Sequence, residues 1–503
     1  MEILLVILLA AIPFLPVSDG PFLYDDRIYI LENHQVTDVE HTLQCLTTSY
    51  PPGGATQALY RPLVTLSYAL DHALAGLDAT LFHLTNIALH VAASLAAYFL
   101  LCAWIPSLAA WTAMLFAVHP VHTEAVSWIV GRAELLCGLF LFLALRLAPS
   151  RFVLASGLAF LALASKEMAI TAPLLLLLPV LFLAAPLDRS RPAFIGFTLV
   201  LLLYLGIRAG VLGWLTPQGD DRFLSGTSVV ERLPSMFVAY TQYLRLSLFP
   251  FGLSVDHPWE TVPTWQEPLA GFGVLLLACS GATAWLLRRR LPWLSVAVAW
   301  FVLALLPVSH LFPIGASYAE RFLYIPSLGA CLAIAGLLQR IRARRVGVCG
   351  LALLVLTSVG LTLRRNQDWR DEERFYLSSI AASPRNSTLR NNLGRTYADR
   401  GELDLAEKSF EEALRLKADH PPALCNLGVI RAMQGRLAEA QDLIERSIRA
   451  DPGYARGHCN LGKVHALNGR VDEARRSFER ALELNPGYSE ARQELENLQH
   501  RDG

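Results

Sequence analysis

Apolar stretches recur from residue 2 to about residue 363, parted by short polar turns. They predict bilayer-crossing helices at 2–17, 82–104, 107–119, 130–147, 152–165, 171–187, 192–212, 268–287, 293–311, 322–339 and 346–363. Several of these eleven segments fall short of the ~20 residues that a straight crossing needs, so only their centres are fixed by the pattern. The first lacks a basic leader and a small-residue cleavage pattern, and it reads as a retained anchor and not as a cleaved signal peptide. From about residue 370 the sequence becomes charged and rich in Ala and Leu. The pattern thus predicts an all-α chain in two domains, a membrane helix bundle over 1–365 and a second helical domain over 366–503.

Arginine orients the crossings, because the positive residues of short loops are held on the cytoplasmic side. Arg146 and Arg151, Arg189 and Arg191, the run Arg288 to Arg290, and Arg340, Arg342, Arg344 and Arg345 all fall on one side when the eleven segments alternate. With that side cytoplasmic, the loop after the first segment, the segments around His119 and Lys166, the 213–267 loop, Glu320 and the C-terminal domain lie on the opposite face. The stretch 234–253 must then lie in the interface or enter and return, since one more crossing would invert every later arginine loop.

In the second domain NNLGRTYADRGELDLAEKSFEEAL (391–414) is echoed by 425–448 and 459–482. Gly394, Gly428 and Gly462 are in register, as are Gly401, Gly435 and Gly469, Ala406, Ala440 and Ala474, and Pro452 with Pro486. The 34-residue period and its small residues resemble the tetratricopeptide repeat (TPR), which implies an α-solenoid with a concave peptide-binding face. Repeats are expected near 387–420, 421–454 and 455–488, after a degenerate half-repeat at 369–383 and before a capping helix near 487–500. The solenoid's expected work is binding a protein partner; a spacer or dimerisation arm is the plainer alternative.

Composition agrees with the apolar pattern: 53% hydrophobic residues, 17% charged residues and a mean hydropathy of +0.39 belong to a membrane protein. The zero formal net charge and the lack of a block of like charge give no reason to expect a nucleic-acid partner. The eight cysteines are dispersed without CxxC or zinc spacing and read as free thiols. Cys425 and Cys459, at equivalent points of the repeat, would stand ~8–10 Å apart, too far for a disulfide.

Ionisable residues are costly at membrane depth, so where they gather they mark candidate sites. They gather on the non-cytoplasmic face of this topology. Asp25 and Asp26 follow the first segment; an amphipathic helix at 60–74 opens with Arg61; HPVHTEAVSWIVGRAELL (119–136) supplies His119, His122, Glu124, Arg132 and Glu134; SKEMAIT supplies Lys166 and Glu167; SYAERFLYIPSLG supplies Glu320 and Arg321. Each has a plainer reading. Asp25 and Asp26 could cap the first segment in solvent, and His83, Asn86 and His90, on one helix face, are expected to hydrogen-bond neighbouring helices. Lys166 and Glu167 are adjacent and need separate partners. Pro120 interrupts the His119, His122 and Glu124 set, whose spacing fits no standard zinc site, so no metal is expected. Functionally, a carboxylate can take the proton of an attacking hydroxyl, and Arg132, Arg321, Lys166 and Arg61 can hold a phosphate. Together these suit transfer from a lipid-linked phosphate donor.

YDD after the first segment, YRPL with SYALDHALAG, FHLTNIALH, LFAVHPVHTEAVSWIVGRAELL, ASKEMAIT, ERFLYIPSLG and the C-terminal repeats, in that order, resemble the transmembrane and tetratricopeptide-repeat protein O-mannosyltransferases, of the type C glycosyltransferase fold class. The resemblance implies transfer of mannose from a polyprenyl or dolichyl phosphate to Ser or Thr of a protein, on the non-cytoplasmic face, with inversion at the anomeric carbon. It implies Asp25 or Asp26 as general base, and Arg132 and Arg321, then Lys166, on the donor phosphate. It implies no cofactor, the lipid-linked sugar phosphate being the donor substrate, and as partners a protein or peptide acceptor, a protein bound by the repeats, and membrane lipid. Three full repeats are few for the eukaryotic members. A short bacterial member would use undecaprenyl phosphate, would face the periplasm or exterior where a eukaryotic one faces the ER lumen, and need not transfer mannose.

Other readings compete. A catalytically silent membrane anchor for the solenoid would need one crossing and no buried Arg or His. A transporter would show inverted repeats or paired broken helices, which this sequence lacks. The same chemistry on a glycan or lipid acceptor leaves the repeats without a polypeptide acceptor to hold.

Overall fold

The computed structural model describes residues 1–503 except 53–58, 214–226, 258–262, 312–317, 486 and 503, and side chains are described up to residue 498. Parts of the expected 213–267 loop, and Pro486 of the repeat register, therefore lie outside the described residues. The described residues are helical, and their only pairing of extended backbone is an isolated antiparallel bridge between Tyr50 and Leu59. Two compact units emerge, Met1–Asp371 and Glu372–Gly503.

In the first unit a helix falls on each of the eleven expected segments. By length and composition, however, four of the described helices can cross a membrane: Ala79–Trp104, Leu187–Leu212, Pro268–Leu286 and Arg344–Arg370. A fifth is possible if Pro120–Ser127 and Ile129–Leu147, bent by 102° at their break, count as one. These are the helices of a membrane protein, but eleven crossings are more than helix length alone marks. Proline explains much of the shortfall. Pro106 and Pro292 open helices, and Pro173 and Pro179 divide the expected 171–187 segment into Ala172–Leu176 and Leu178–Phe182, because proline suits a first turn and breaks an interior one.

The 102° bend depends on a glycine. A Cβ on Gly131 would run into the carbonyl oxygens of Glu124 and Ala125, so only glycine lets the Thr123–Ser127 turn lie against the start of the Arg132–Leu147 helix. The 60–74 expectation is met by Pro62–Ala75, with Arg61 at its N-cap. The 234–253 stretch lies largely on the helix Val229–Leu248, which opens with a capping box between Ser228 and Glu231 and buries Val238, Ala239, Tyr243 and Leu246. The turn Asp368–Arg370 belongs to this unit: Trp369 is fully buried and Arg370 pairs with Asp19 at 2.6 Å, so the unit ends at Asp371 and not at 365.

The second unit opens with the helix Glu372–Ala382 and continues as helical hairpins: Ser387–Asp399 with Leu403–Leu416, Pro421–Met433 with Leu437–Ala450, and Ala455–Leu467 with Val471–Leu484, followed by Ser489–Asp502. Gly401, Gly435 and Gly469 turn each hairpin at φ +78°, +77° and +72°, a backbone region that favours glycine. Gly394, Gly428 and Gly462 lie against Phe410, Ile444 and Phe478, where a Cβ would stand 2.7 Å from the facing side chain. Successive hairpins are joined by polar bonds at one repeating position: Asn426 Nδ2 donates to Asn391 Oδ1 at 2.9 Å, and Asn460 Nδ2 to Cys425 Sγ at 3.1 Å. All eight cysteines are free.

Candidate functional site

The loop after the first helix is held by one carboxylate. Asp26 is 1% exposed; its Oδ2 accepts from Leu23 N at 2.8 Å and its Oδ1 from Val130 N at 3.0 Å, which ties the loop to the 119–136 segment. Burial pushes the Asp26 carboxyl up to about 8, the two N–H donors pulling the other way. Tyr24 adopts φ +55°, unusual for an aromatic residue, and its ring meets Trp128 edge-on at 5.8 Å. After this turn Asp25 is left half-buried at the head of the widened helical turn Arg27–Leu31.

Asp25 shares its surroundings with Tyr29. The Tyr29 hydroxyl lies within the fields of Asp25, Arg61, Arg321 and Glu167, so four of the predicted residues converge around it. Arg321 pairs with Glu124, whose Oε2 also accepts from Arg321 N at 2.7 Å. It lies beside the Trp128 and Phe322 rings, 5.3 and 5.0 Å from their centroids, and Asp25 is within its electrostatic reach. Lys166 pairs with Glu134 and sits 4.9 Å from the Phe322 ring centroid. Its neighbour Glu167 takes different partners, Arg61 at 2.9 Å and Arg208 at 2.7 Å, as their adjacency requires. Arg61, Glu124, Glu134, Lys166, Glu167 and Arg321 thus form three separate ion pairs, with Arg321 standing in the fields of both Asp25 and Glu134.

Four predicted residues are engaged elsewhere. Arg132 is fully buried, its guanidinium donating to Asn86 Oδ1 at 2.8 Å, Phe82 O at 3.0 Å and Ser67 O at 3.1 Å, pairing with Asp71 at 2.6 Å and standing 4.6 Å from the Tyr68 ring centroid. Those bonds join three helices and occupy the groups that a phosphate would need. His119 Nε2 donates to Ser247 O at 3.0 Å. His122 Nε2 bonds Ser327 Oγ at 2.8 Å; since that hydroxyl donates to Tyr324 O, the imidazole is the donor. Glu320 is buried, accepting from Ser254 N at 2.5 Å and His257 Nε2 at 3.0 Å, and so ties down the loop around residue 255. His119, His122 and Glu124 therefore serve separate partners. Asn86 and His90 hydrogen-bond within the bundle as expected, His90 reaching Tyr324 OH at 2.8 Å and Ala117 O at 3.0 Å.

Sequence reasoning missed Tyr29, Asp71 and Arg208. For Arg208 there was a signal, a lone charge within the apolar 192–212 segment. Asp71 lay in the quoted SYALDHAL stretch, but its partner could not be read from it.

Family models for the tetratricopeptide repeat match residues 385–453 and 425–489. The second unit is a TPR solenoid. Curated relatives cover most of the chain: protein O-mannosyl-transferase F38B6.6 of Caenorhabditis elegans is 27% identical over 82% of this chain and 62% of its own length. Protein O-mannosyl-transferase Tmtc1 of Drosophila melanogaster is 28% identical over 83% and 61%, and TMTC3 of Mus musculus is 29% identical over 79% and 49%. This chain is similar to the protein O-mannosyl-transferases over most of its length. The family resemblance read from the motifs is thus borne out, and the chain spans less than two thirds of the length of these relatives. Among solved structures, MamA is 27% identical over 29% of this chain and 84% of its own, with a TM-score of 0.25.

Proposed function

We propose that this protein is a multi-pass membrane glycosyltransferase that moves a sugar, mannose by analogy with its relatives, from a polyprenyl phosphate carrier to Ser or Thr hydroxyls of a protein, on the non-cytoplasmic face. In this reading the short apolar helices add to the long ones to make the eleven crossings of a type C glycosyltransferase, and the TPR solenoid, on the same side, binds the acceptor or a partner protein. The relatives' names, and the motif resemblance read from the sequence, support the reaction class.

The observation that carries the reading is a contrast in exposure and surroundings within the first loop: Asp26 is 1% exposed, while Asp25 is half-buried and shares the surroundings of Tyr29 with Arg61 and Arg321. Asp25 is the general base. It takes the proton of the acceptor hydroxyl as that oxygen bonds to the anomeric carbon, and the bond from that carbon to the phosphate oxygen breaks, its electron pair leaving with the phosphate. Attack opposite the departing phosphate inverts the anomeric centre. Arg321, Arg61 and Lys166 face the phosphate, each releasing a carboxylate partner in part as the anion enters.

The test is transfer of radiolabelled mannose from polyprenyl phosphate mannose to Ser/Thr-rich peptides by purified protein. Wild-type activity that falls roughly a hundredfold in a folded Asp25→Asn variant is the expected result. Transfer undiminished by Asp25→Asn overturns the assignment of the base, and no transfer by the wild type overturns this donor and sugar.

A further inference from the structure

The first loop, the 118–131 segment and the end of the helix Arg344–Asn366 close a ring of polar bonds, and one side chain makes two of its links. That side chain is Asn366, 0% exposed at the end of its helix. Its Nδ2 donates to Pro13 O at 2.7 Å, and its Oδ1 accepts from Ser127 Oγ at 2.6 Å. A carbonyl can only accept, so the Pro13 bond fixes which way the amide points and makes the Ser127 hydroxyl the donor. One turn earlier on the same face, Thr362 Oγ1 donates to Val118 O at 3.0 Å, so this helix holds the 118–127 segment at both ends. Arg370 with Asp19, and Val130 N with Asp26, complete the ring.

The Pro13 carbonyl depends on this amide. Three residues on, Pro16 has no N–H to offer it, and four residues on, Val17 N goes to Phe14 O at 3.1 Å. Pro13 is itself buried, where an unpaired carbonyl is costly. Only a short side chain carrying both a donor and an acceptor satisfies Pro13 and Ser127 together, and asparagine is one.

The two functional groups named above ride on this ring at different points. Asp25 lies in the first loop, between Asp19 and the Asp26–Val130 bond. Arg321 is held to the 118–131 segment by Glu124, whose Oε2 accepts from Arg321 N at 2.7 Å. The spacing of the loop and the segment therefore sets the spacing of Asp25 and Arg321.

We infer that Asn366 is a positioning residue, which holds the first loop against the 118–131 segment and so sets Asp25 against Arg321. This rests on the glycosyltransferase reading for what the spacing serves. Asn366 touches neither substrate nor reacting atoms, and it acts through Pro13 and Ser127.

The test has two readings on the full chain in detergent: hydrogen exchange at residues 18–31 and 118–131, and kcat against KM for transfer of mannose from polyprenyl phosphate mannose to a Ser/Thr-rich peptide. The variants are Asn366→Ala, Ser127→Ala and a control, Thr112→Val. Thr112 is buried as well, but its hydroxyl bonds Leu108 O of its own helix, away from the ring. Asn366→Ala is expected to speed exchange in both segments about tenfold, the effect of about one lost hydrogen bond, and to lower kcat about as much with KM within about twofold. Ser127→Ala, which breaks one of the two links, should show a smaller change of the same kind, and Thr112→Val neither. A purely structural role would lower the melting temperature and leave kcat of the folded protein alone. Unchanged exchange in both segments, unchanged kcat, or an equal loss of kcat in Thr112→Val overturns the inference. If Asn366→Ala does not fold, Ser127→Ala decides by the same readings. If the wild type transfers no sugar, the proposed reaction falls and exchange alone decides whether Asn366 holds the loop; transfer with exchange indifferent to Asn366 leaves the reaction standing and overturns the positioning role.

Discussion

Asp25 and Asp26 share a peptide bond but not an environment: Asp26 is 1% exposed with each oxygen bonded to a backbone N–H, and Asp25 is half-buried within reach of Arg321 and Tyr29. The two should therefore separate under the same substitution. Asp25→Asn keeps the melting temperature and lowers kcat roughly a hundredfold. Asp26→Asn places an amide NH2 against one of two N–H donors and lowers the melting temperature first. Paired melts and single-turnover transfer assays check the split.

The same burial makes stability depend on pH. The folded Asp26 pKa of about 8 lies above the ordinary value of 3.8, so the folded state binds the proton more tightly than the unfolded one. Its contribution is complete below about pH 4 and is lost as pH rises through 8. Between pH 5 and pH 8.5 the wild-type melting temperature should fall, by on the order of a few degrees, relative to that of Asp26→Asn, which has no such proton to lose. Parallel curves for the two proteins would remove Asp26 as the cause.

Arg132 should behave as a structural residue. Arg132→Gln leaves Asp71 buried without its cation at a cost of about 3–5 kcal/mol, and Asp71→Asn should cost a similar amount. The double variant should lose less than the sum of the two, since each single change already breaks the pair. Melting of all four proteins measures the coupling, and prenyl phosphate affinity of whatever folds should stay at the wild-type value.

In the solenoid, two glycines of one hairpin test two different constraints. Gly428→Ala forces a Cβ to within 2.7 Å of Ile444 and should cost about 1–3 kcal/mol through overpacking. Gly435→Ala meets nothing within 4 Å and pays only for its φ of +77°, about 1–2 kcal/mol. Hydrogen exchange of the Pro421–Ala450 hairpin in the full chain should show faster opening in both variants, more so for Gly428→Ala when Ile444 cannot move aside.

The sequence was legible where one residue's type decides the outcome. Apolar runs located a helix at every expected segment, and the glycine register located each hairpin, because hydrophobicity and a positive φ are local demands. Helix length was less legible, since prolines such as Pro173 and Pro179 break what hydropathy joins. Least legible was the partner of each charge. Arg132 and Arg321 read alike as donor-phosphate residues, yet Asp71, Asn86 and two carbonyls close around the first, while the second keeps a side chain 21% exposed beside Trp128. Such differences arise from contacts between distant segments, and Arg208 stayed hidden for the same reason, inside a stretch that hydropathy assigned to lipid.

The polar bonds between hairpins set a rule for how this solenoid can change length. Asn426 reaches back 35 residues to Asn391, and Asn460 reaches back 35 to Cys425. Each hairpin therefore grips its predecessor at the same rung. Removing or duplicating one whole 34-residue unit leaves every surviving rung with a partner at the right height, whereas a one- or two-residue insertion inside the helix that carries the asparagine turns it away from its mate and takes the glycine contacts out of step with it. The stack is in this sense a ladder gauge, tolerant of counting by units and intolerant of fractions.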